Sequence, residues 1–466
     1  MHIKCKAFYL FTHRYLVEFN AGYNGTERLA KKDRFGFFPA ASLGWVISNE
    51  KFFEPASNII TNLKIRGSYG LVGSDDLASP GGSHFLYINK IDGNNISAVQ
   101  FSSGDFADNN IYTGGGPNLT YYAMSGLGWE KSRKGDVGLD LTLFGKLTIV
   151  ADYFKEQRYD IFLNREAWPE SLAYYVSKPW ANKGKMQNEG FEISADYNQR
   201  INNDWSISFR GNISYSENKI IDWDDPEYTY TWKDNYRTDK PFPGPDSYGN
   251  YGVSNRYGYI AEGLFQSEEE IATAPTQQVG SSVVRVGDIR YRDINGDGIV
   301  NSDDMTMISE NGTVPRIQYG FGATVNFKKF DLGFQFVGQA KRTIMANGVD
   351  PFQEGGNMTA YNALTWVAEN YFDPELGNFD AAYPRLGTTR TEVSNNTVNS
   401  TWWLRDGSFL RLKNVELGWS FPYGRVYVAG SNLLRFSPFK LWDPELSSWN
   451  SYPLSKSVTV GVQITI

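Results

Sequence analysis

The stretch whose residue types and spacing are fit for chemistry is DINGDGIVNSDD. Asp293, Asn295 and Asp297 occupy alternate positions, Gly298 permits a sharp turn, the Ile299 carbonyl can point inward, and Asp304 supplies a carboxylate at the twelfth position. Hard Ca²⁺ takes roughly six to eight oxygen ligands, and this spacing offers most of them from one short loop. The expected chemistry is therefore structural calcium binding. Asp rather than Glu closes the pattern, which shortens its reach and resembles a dockerin-type loop more than a sensor, and no helix is evident before it. The competing account is an Asx- and Gly-rich turn with solvated carboxylates.

The remaining candidates for chemistry are weaker. His2, His13 and His84 lack ligand-like spacing, and the acidic groups Asp224 and Asp225, or Glu268, Glu269 and Glu270, carry no information about the carboxyl separation that glycosidases need. No GxSxG, HExxH or P-loop pattern occurs. The chain is read as a non-enzyme with no organic cofactor. Cys5 is the only cysteine, which excludes an intrachain disulfide and a cysteine-based metal site. A net charge of -7 with both signs interspersed gives no basic stripe, so nucleic acid is not an expected partner.

These loops must be positioned by strands. In WSISFRGNISY, Trp205, Ile207, Phe209, Gly211, Ile213 and Tyr215 share one face, and Ser206, Ser208, Arg210, Asn212 and Ser214 share the other. The C-terminal run repeats the pattern, with Val458, Val460, Val462, Ile464 and Ile466 opposite Ser457, Thr459, Gly461, Gln463 and Thr465. Many such runs reach the roughly 9 to 11 residues that cross a bilayer at a tilt, while no stretch approaches the roughly 18 apolar residues of a membrane helix. About twelve spanning strands are expected.

The connections alternate between tight and long. Gly145-Lys146, Asn202-Asn203, Lys328-Lys329 and Pro422-Tyr423-Gly424 close hairpins, whereas about residues 161–186, 220–315, 342–404 and 435–454 form long loops. Membrane barrels show this asymmetry, with short periplasmic turns and long extracellular loops. Two short helices are expected in the loops, at SEEEIATA behind a Ser267/Glu270 capping box and at ALTWVAENYF. Trp45, Trp129, Trp205, Trp402, Trp403 and Trp419 lie near strand ends as candidates for interfacial girdles, and Trp168, Trp180, Trp223, Trp232 and Trp366 are loop aromatics able to stack on a sugar.

Several segments together resemble the C-terminal barrel of SusC/RagA-type TonB-dependent outer-membrane transporters. They are VGDIRYRDINGDGIVNSDDMTMI, VPRIQYGFGATVNFKKFDLGFQFVGQ, WWLRDGSFLRLKNVELGWSFP, RVYVAGSNLL and WDPEL, with GFFPAASLGWVIS, NLKIRGSYGLVG and LGWEKSRKGDVGLDLTLF upstream. The resemblance implies an all-β fold, an antiparallel transmembrane β-barrel portion of an expected 22-stranded barrel, in the Gram-negative outer membrane. It implies import of oligosaccharide or peptide substrate, a SusD-type surface lipoprotein as lid, TonB as energy source, and outer-membrane lipid around the strands. The expected organisation is that residues 1–466 form the C-terminal part of the barrel, without plug domain, TonB box or signal peptide, and inactive alone. The alternatives are a secreted or surface all-β glycan-binding protein with a calcium-stabilised loop, whose apolar strand faces must bury against each other, and a polysaccharide-active enzyme on a β scaffold.

Overall fold

The computed structural model describes residues 2–76, 85–101, 112–121, 123–124, 126–165, 167, 179–224, 257–347, 364–387, 391–446 and 451–465. Thirteen strands of one sheet hydrogen-bond in chain order. They are β1 (His2–Phe11), β2 (Tyr15–Gly25), β3 (Phe35–Val46), β4 (Ile60–Ser74), β5 (Glu130–Leu143), β6 (Leu147–Asn164) and β7 (Trp180–Arg200). β8 (Trp205–Asp222), β9 (Ile317–Phe327), β10 (Phe330–Ala340), β11 (Phe409–Phe421), β12 (Gly424–Phe436) and β13 (Ser457–Ile464) complete it.

The strand absent from the sequence expectation is β1. Phe8, Tyr9, Leu10 and Phe11 are apolar in both phases, which hides the period of two, yet all ten residues pair with β2. The turn between them is tight: Thr12 and His13 both take left-handed backbone, and the Arg14 amide donates to the Phe11 carbonyl at 3.0 Å. Two consecutive left-handed residues match the twist of the flanking strands, as in type I′ hairpins. His13 is thus a turn residue. His84 and Asp225 lie outside the described residues.

The sheet divides between two compact units. The first comprises Met1–Gly145, Ile149–Phe191 and Glu217–Phe242; the second comprises Lys146–Thr148, Glu192–Ser216 and Pro243–Ile466. In the first, register aligns Val17, Leu43, Gly67 and Val137 in one row and Tyr15, Trp45, Ile65 and Leu139 in the next. The opposite face is charged. Arg66 lies 2.6 Å from Asp152, 3.3 Å from Asp140 and 3.4 Å from Asp136. A small core of Leu29, Phe38, Leu86, Leu127, Trp129 and Phe162 closes one end of this unit. Trp129 is therefore a core residue and not an interfacial one, meeting Phe38 edge-on at 5.2 Å. Trp180 stacks on Phe162 at 4.8 Å in the same cluster, which ties down one of the expected sugar-stacking aromatics.

In the second unit the two-faced pattern is continuous across six strands. Trp205, Phe327, Phe330, Trp419, Val426 and Val462 are cross-strand neighbours in one row, and Ile207, Val325, Leu332, Leu417, Val428 and Val460 form the next. Ser206, Asn326 and Asp331 align on the other face, where Arg425 bridges Asp331 (Nε to Oδ1, 3.0 Å) and Glu416. A slip of one residue in any pair would throw aliphatic side chains among these charges, so the alternation fixes the register. No second protein layer covers the apolar rows among the described residues: Val458, Val460, Val462 and Ile464 are 67%, 70%, 62% and 67% exposed. Faces this apolar cannot be left to water over such an area, and hydrocarbon is the solvent that suits them.

Candidate functional site

The long connections of the second unit fold into a packed body of their own. Residues 257–316 between β8 and β9, and residues 341–347, 364–387 and 391–408 between β10 and β11, share a core of Leu264, Val279, Ile289, Tyr291, Val300, Val367, Phe372, Tyr383 and Trp403. Trp403 is 1% exposed and donates its indole N–H to the Asn396 carbonyl at 2.6 Å. It belongs to this core and not to an interfacial girdle; Trp402 beside it and Trp366 pack against the same cluster. Trp45, Trp205 and Trp419 lie on the exposed apolar face. Trp223 is half-buried, and Trp168 and Trp232 lie outside the described residues.

Both loop helices form, each only six residues long, at Glu268–Thr273 and Thr365–Asn370. The Ser267 side chain accepts the Glu270 amide at 3.2 Å, which caps the first helix. The reciprocal half of the box is displaced by one residue: Glu270 accepts the Gln266 amide at 2.7 Å and also pairs with Arg290. That pairing draws the carboxylate away from the cap.

A buried polar clasp holds this body together. Asp288 has no exposure, and its carboxylate takes the Arg385 Nε at 2.7 Å, the Asn396 amide nitrogen at 2.7 Å and the Arg285 backbone N–H at 2.9 Å. Burial pushes its carboxyl above the usual range, and the Arg385 charge opposes that rise. Asn395 spans from the Ile289 carbonyl to Gln277, both at 3.0 Å. Burial raises the Tyr291 hydroxyl strongly as well, and it donates to the Asn395 carbonyl at 2.8 Å. The VGDIRY segment carried a hint of this role through Asp288 between apolar neighbours, whereas Asn395 and Asn396 in VSNNTV carry no sequence signal.

The DINGDGIVNSDD loop emerges from this core. Gly296 and Gly298 have φ of 76° and 82°, a left-handed backbone that glycine adopts without cost. The Asp293 carboxylate accepts from the Gly296 and Gly298 amides at 2.7 and 2.8 Å, Asn295 Oδ1 from Asp297 at 2.9 Å, and Asp297 Oδ1 from Ile299 at 2.8 Å. Asp304 is fully buried; its oxygens accept from Ile294 at 2.7 Å and Asn301 at 2.8 Å, closing the loop from inside. Thr276 and Gln278 take the carbonyls of Gly298 and Val300, which leaves the Ile299 carbonyl on the other edge of its strand. The structure thus brings Asp293, Asn295 and Asp297 into one turn, with Asp304 engaged by backbone. Among the described residues no group of three or more His, Cys, Asp or Glu side chains is placed to hold a metal.

A second clasp joins strand and loop. Arg411, 3% exposed, sends Nη2 to both oxygens of Asp443 at 2.5 and 2.6 Å and Nε to Glu445 at 2.6 Å. Burial raises the Asp443 carboxyl, but the Arg411 hydrogen bond, the Glu445 amide and the Arg411 and Arg435 charges together outweigh that rise and hold it below the usual carboxylate range. The same loop body carries an open hollow of about 340 Å³ lined by Ala261, Gly263, Ala382, Thr401, Trp402 and Arg405.

Residues 11–306 match the family described as TonB dependent receptor-like, beta-barrel. The chain belongs to that family. Its members are transporters of the Gram-negative outer membrane and not enzymes, which accounts for a sheet with one face for lipid and one for water. TonB-dependent receptor P3 of Formosa agariphila is 26% identical over 472 residues, covering 97% of this chain and 43% of that protein. TonB-dependent receptor SusC of Bacteroides thetaiotaomicron is 26% identical over 486 residues, covering 98% and 42%. The solved RagAB peptide transporter superposes with a TM-score of 0.68 at 20% identity, over 99% of this chain and 47% of that one, a likeness of fold. The chain spans less than half the length of each.

Proposed function

We propose that this chain forms part of the wall and the extracellular loops of a TonB-dependent importer for oligosaccharides or peptides, with a SusD-type surface lipoprotein as lid and TonB as the energy source. The observation that carries the reading is the pair of unbroken apolar rows backed by a polar face with the Arg425, Asp331 and Glu416 cluster. A water-filled or ligand-filled interior accepts those charges; an interior packed by a second sheet would not. The packed loop body supplies a shaped surface where a ligand and a lid would meet. The similarity to SusC and to RagAB supports both the transport reading and the lipoprotein partner. The test is uptake by cells carrying the intact gene product, with and without the body formed by residues 257–316 and 341–408, together with affinity capture of a lipoprotein partner. Uptake that survives loss of that body would refute its part in the pathway.

For the 293–304 loop we propose a bound Ca²⁺ resting on Asp293, Asn295, Asp297 and the Ile299 carbonyl. An all-oxygen donor set suits a hard cation, and each carboxylate oxygen already holding one amide keeps a second lone pair. Asp304 then acts as the inner brace. Isothermal titration with Ca²⁺ should give binding heat that disappears in an Asp293→Ala, Asp297→Ala variant. Equal heats from both proteins would remove the proposal.

A further inference from the structure

Arg405, in the loop body, has no carboxylate partner among the described residues. Its Nη1 donates to the carbonyls of Trp402 at 2.6 Å and Leu404 at 3.0 Å, which orients the guanidinium but leaves its charge uncompensated. Burial pushes its pKa down, with no neighbouring charge to offset the effect. Glu262, between two residues of the hollow's wall, is already held by Arg292 at 2.8 Å. Arg405 pairs with Ile344, and Arg342, diagonal to it across that ribbon, is engaged elsewhere: its Nη1 donates to Gln339 Oε1 at 2.8 Å and the Glu445 charge faces it.

Trp402 contributes an aromatic side chain to the wall beside Arg405. Gly263 forms another part of the wall at φ 132°, beside an irregularity in strand pairing between Ala261 and Gly263. A Cβ there would meet open space within 4 Å, so backbone is bare toward the hollow. Bulges of this kind recur next to binding sites.

We infer that the hollow lined by Trp402 and Arg405 is a recognition subsite for an acidic saccharide, with the guanidinium taking a carboxylate or sulfate ester and the indole packing on the pyranose ring. Guanidinium forks suit planar and tetrahedral oxyanions, and aromatic side chains supply large rigid contact area at low entropic cost. The inference rests on the importer reading and narrows its substrate to sugars that carry an oxyanion.

The experiment is calorimetric titration of the detergent-solubilised chain with a galacturonate trisaccharide, a sulfated galactose trisaccharide, a neutral galactose trisaccharide and inorganic sulfate alone. One or both acidic sugars should bind at least about tenfold more tightly than the neutral one, and Arg405→Gln should weaken that binding about ten- to a hundredfold. Arg405→Lys should recover part of the loss, since it keeps charge without the fork, and thermal unfolding of each variant checks that it is folded. Preference for uronate over sulfate ester, or the reverse, names the oxyanion. Equal binding of neutral and acidic sugars, or an Arg405→Gln variant that binds as the parent does, overturns the subsite while leaving import of neutral substrates intact. Sulfate alone binding as tightly as the sugars overturns the saccharide part. Absence of all binding by a folded chain overturns the inference too, and cellular uptake decides the importer reading separately.

Discussion

Replacing Arg411 with Met gives the sharpest energetic test of how the loops are fixed to the sheet. Arg411 is 3% exposed and holds Asp443 and Glu445, both from the WDPEL segment, at 2.5 to 2.6 Å. Removing one partner of a buried pair costs about 3 to 5 kcal/mol, because the other charge is left buried and unpaired. Two features reduce the figure here. Asp443 and Glu445 are 13% and 25% exposed, and Arg435 stands 3.5 Å from Asp443. The expected loss for Arg411→Met is therefore about 2 to 3 kcal/mol, and for Asp443→Asn, where Glu445 still answers the arginine, about 1 to 2 kcal/mol. The two changes should be strongly non-additive, with a coupling of at least about 1 kcal/mol. Acid should mimic the second. The folded carboxyl of Asp443 is depressed, so its stabilisation is complete above the ordinary carboxylate range near pH 4 and is lost as pH falls through the lower folded value. The assay is denaturant unfolding of the chain in detergent at pH 7 and pH 3, read alongside proteolytic release of residues 437–456. Additive single and double variants, or an Arg411→Met chain as stable as the parent, would refute the clasp.

Trp403→Ala should loosen the loop body without dissolving the sheet, costing about 3 to 5 kcal/mol of local stability, since the side chain is buried and its N–H holds the Asn396 carbonyl. Proteolysis confined to residues 257–316 and 341–408 is the expected readout; uniform protection would contradict it. The isolated 466-residue chain should show no substrate flux in liposomes, because among the described residues β1 and β13 each have one hydrogen-bonded neighbour in the strand order, which leaves an edge of each unpaired. Flux above that of empty vesicles would overturn that expectation.

What could be read from the residues follows from how local each signal is. β8 and β13 announce themselves because their alternation depends only on which solvent lies outside each face. β1 does not, since four successive apolar residues satisfy either phase. The Ser267 cap and the DxNxDG turn are local chemistry and appear where their spacing puts them. Trp129 and Trp403, candidates either for an interfacial girdle or for packing against loops, take the second role, decided by partners far along the chain: Phe38 for the first, and the cluster with Ile289 and Val300 for the second. The Asp288, Arg385, Asn396 clasp and the Arg411 pairing with WDPEL are long-range as well, so the segments stood out in the sequence while their purpose did not.

The account rests on hydrocarbon lying against one side of these strands. Its most direct test is spin-label accessibility in lipid vesicles, in a Cys5→Ser background, with single cysteines at Leu332, Leu417, Val428 and Val460 and at Asn326, Glu416, Ala429 and Thr459. The first set should be relaxed by oxygen dissolved in the bilayer and shielded from a water-soluble nickel chelate, and the second set should show the reverse. Equal accessibility of both sets to the chelate, or both shielded from oxygen and chelate alike as in a packed protein interior, would contradict it.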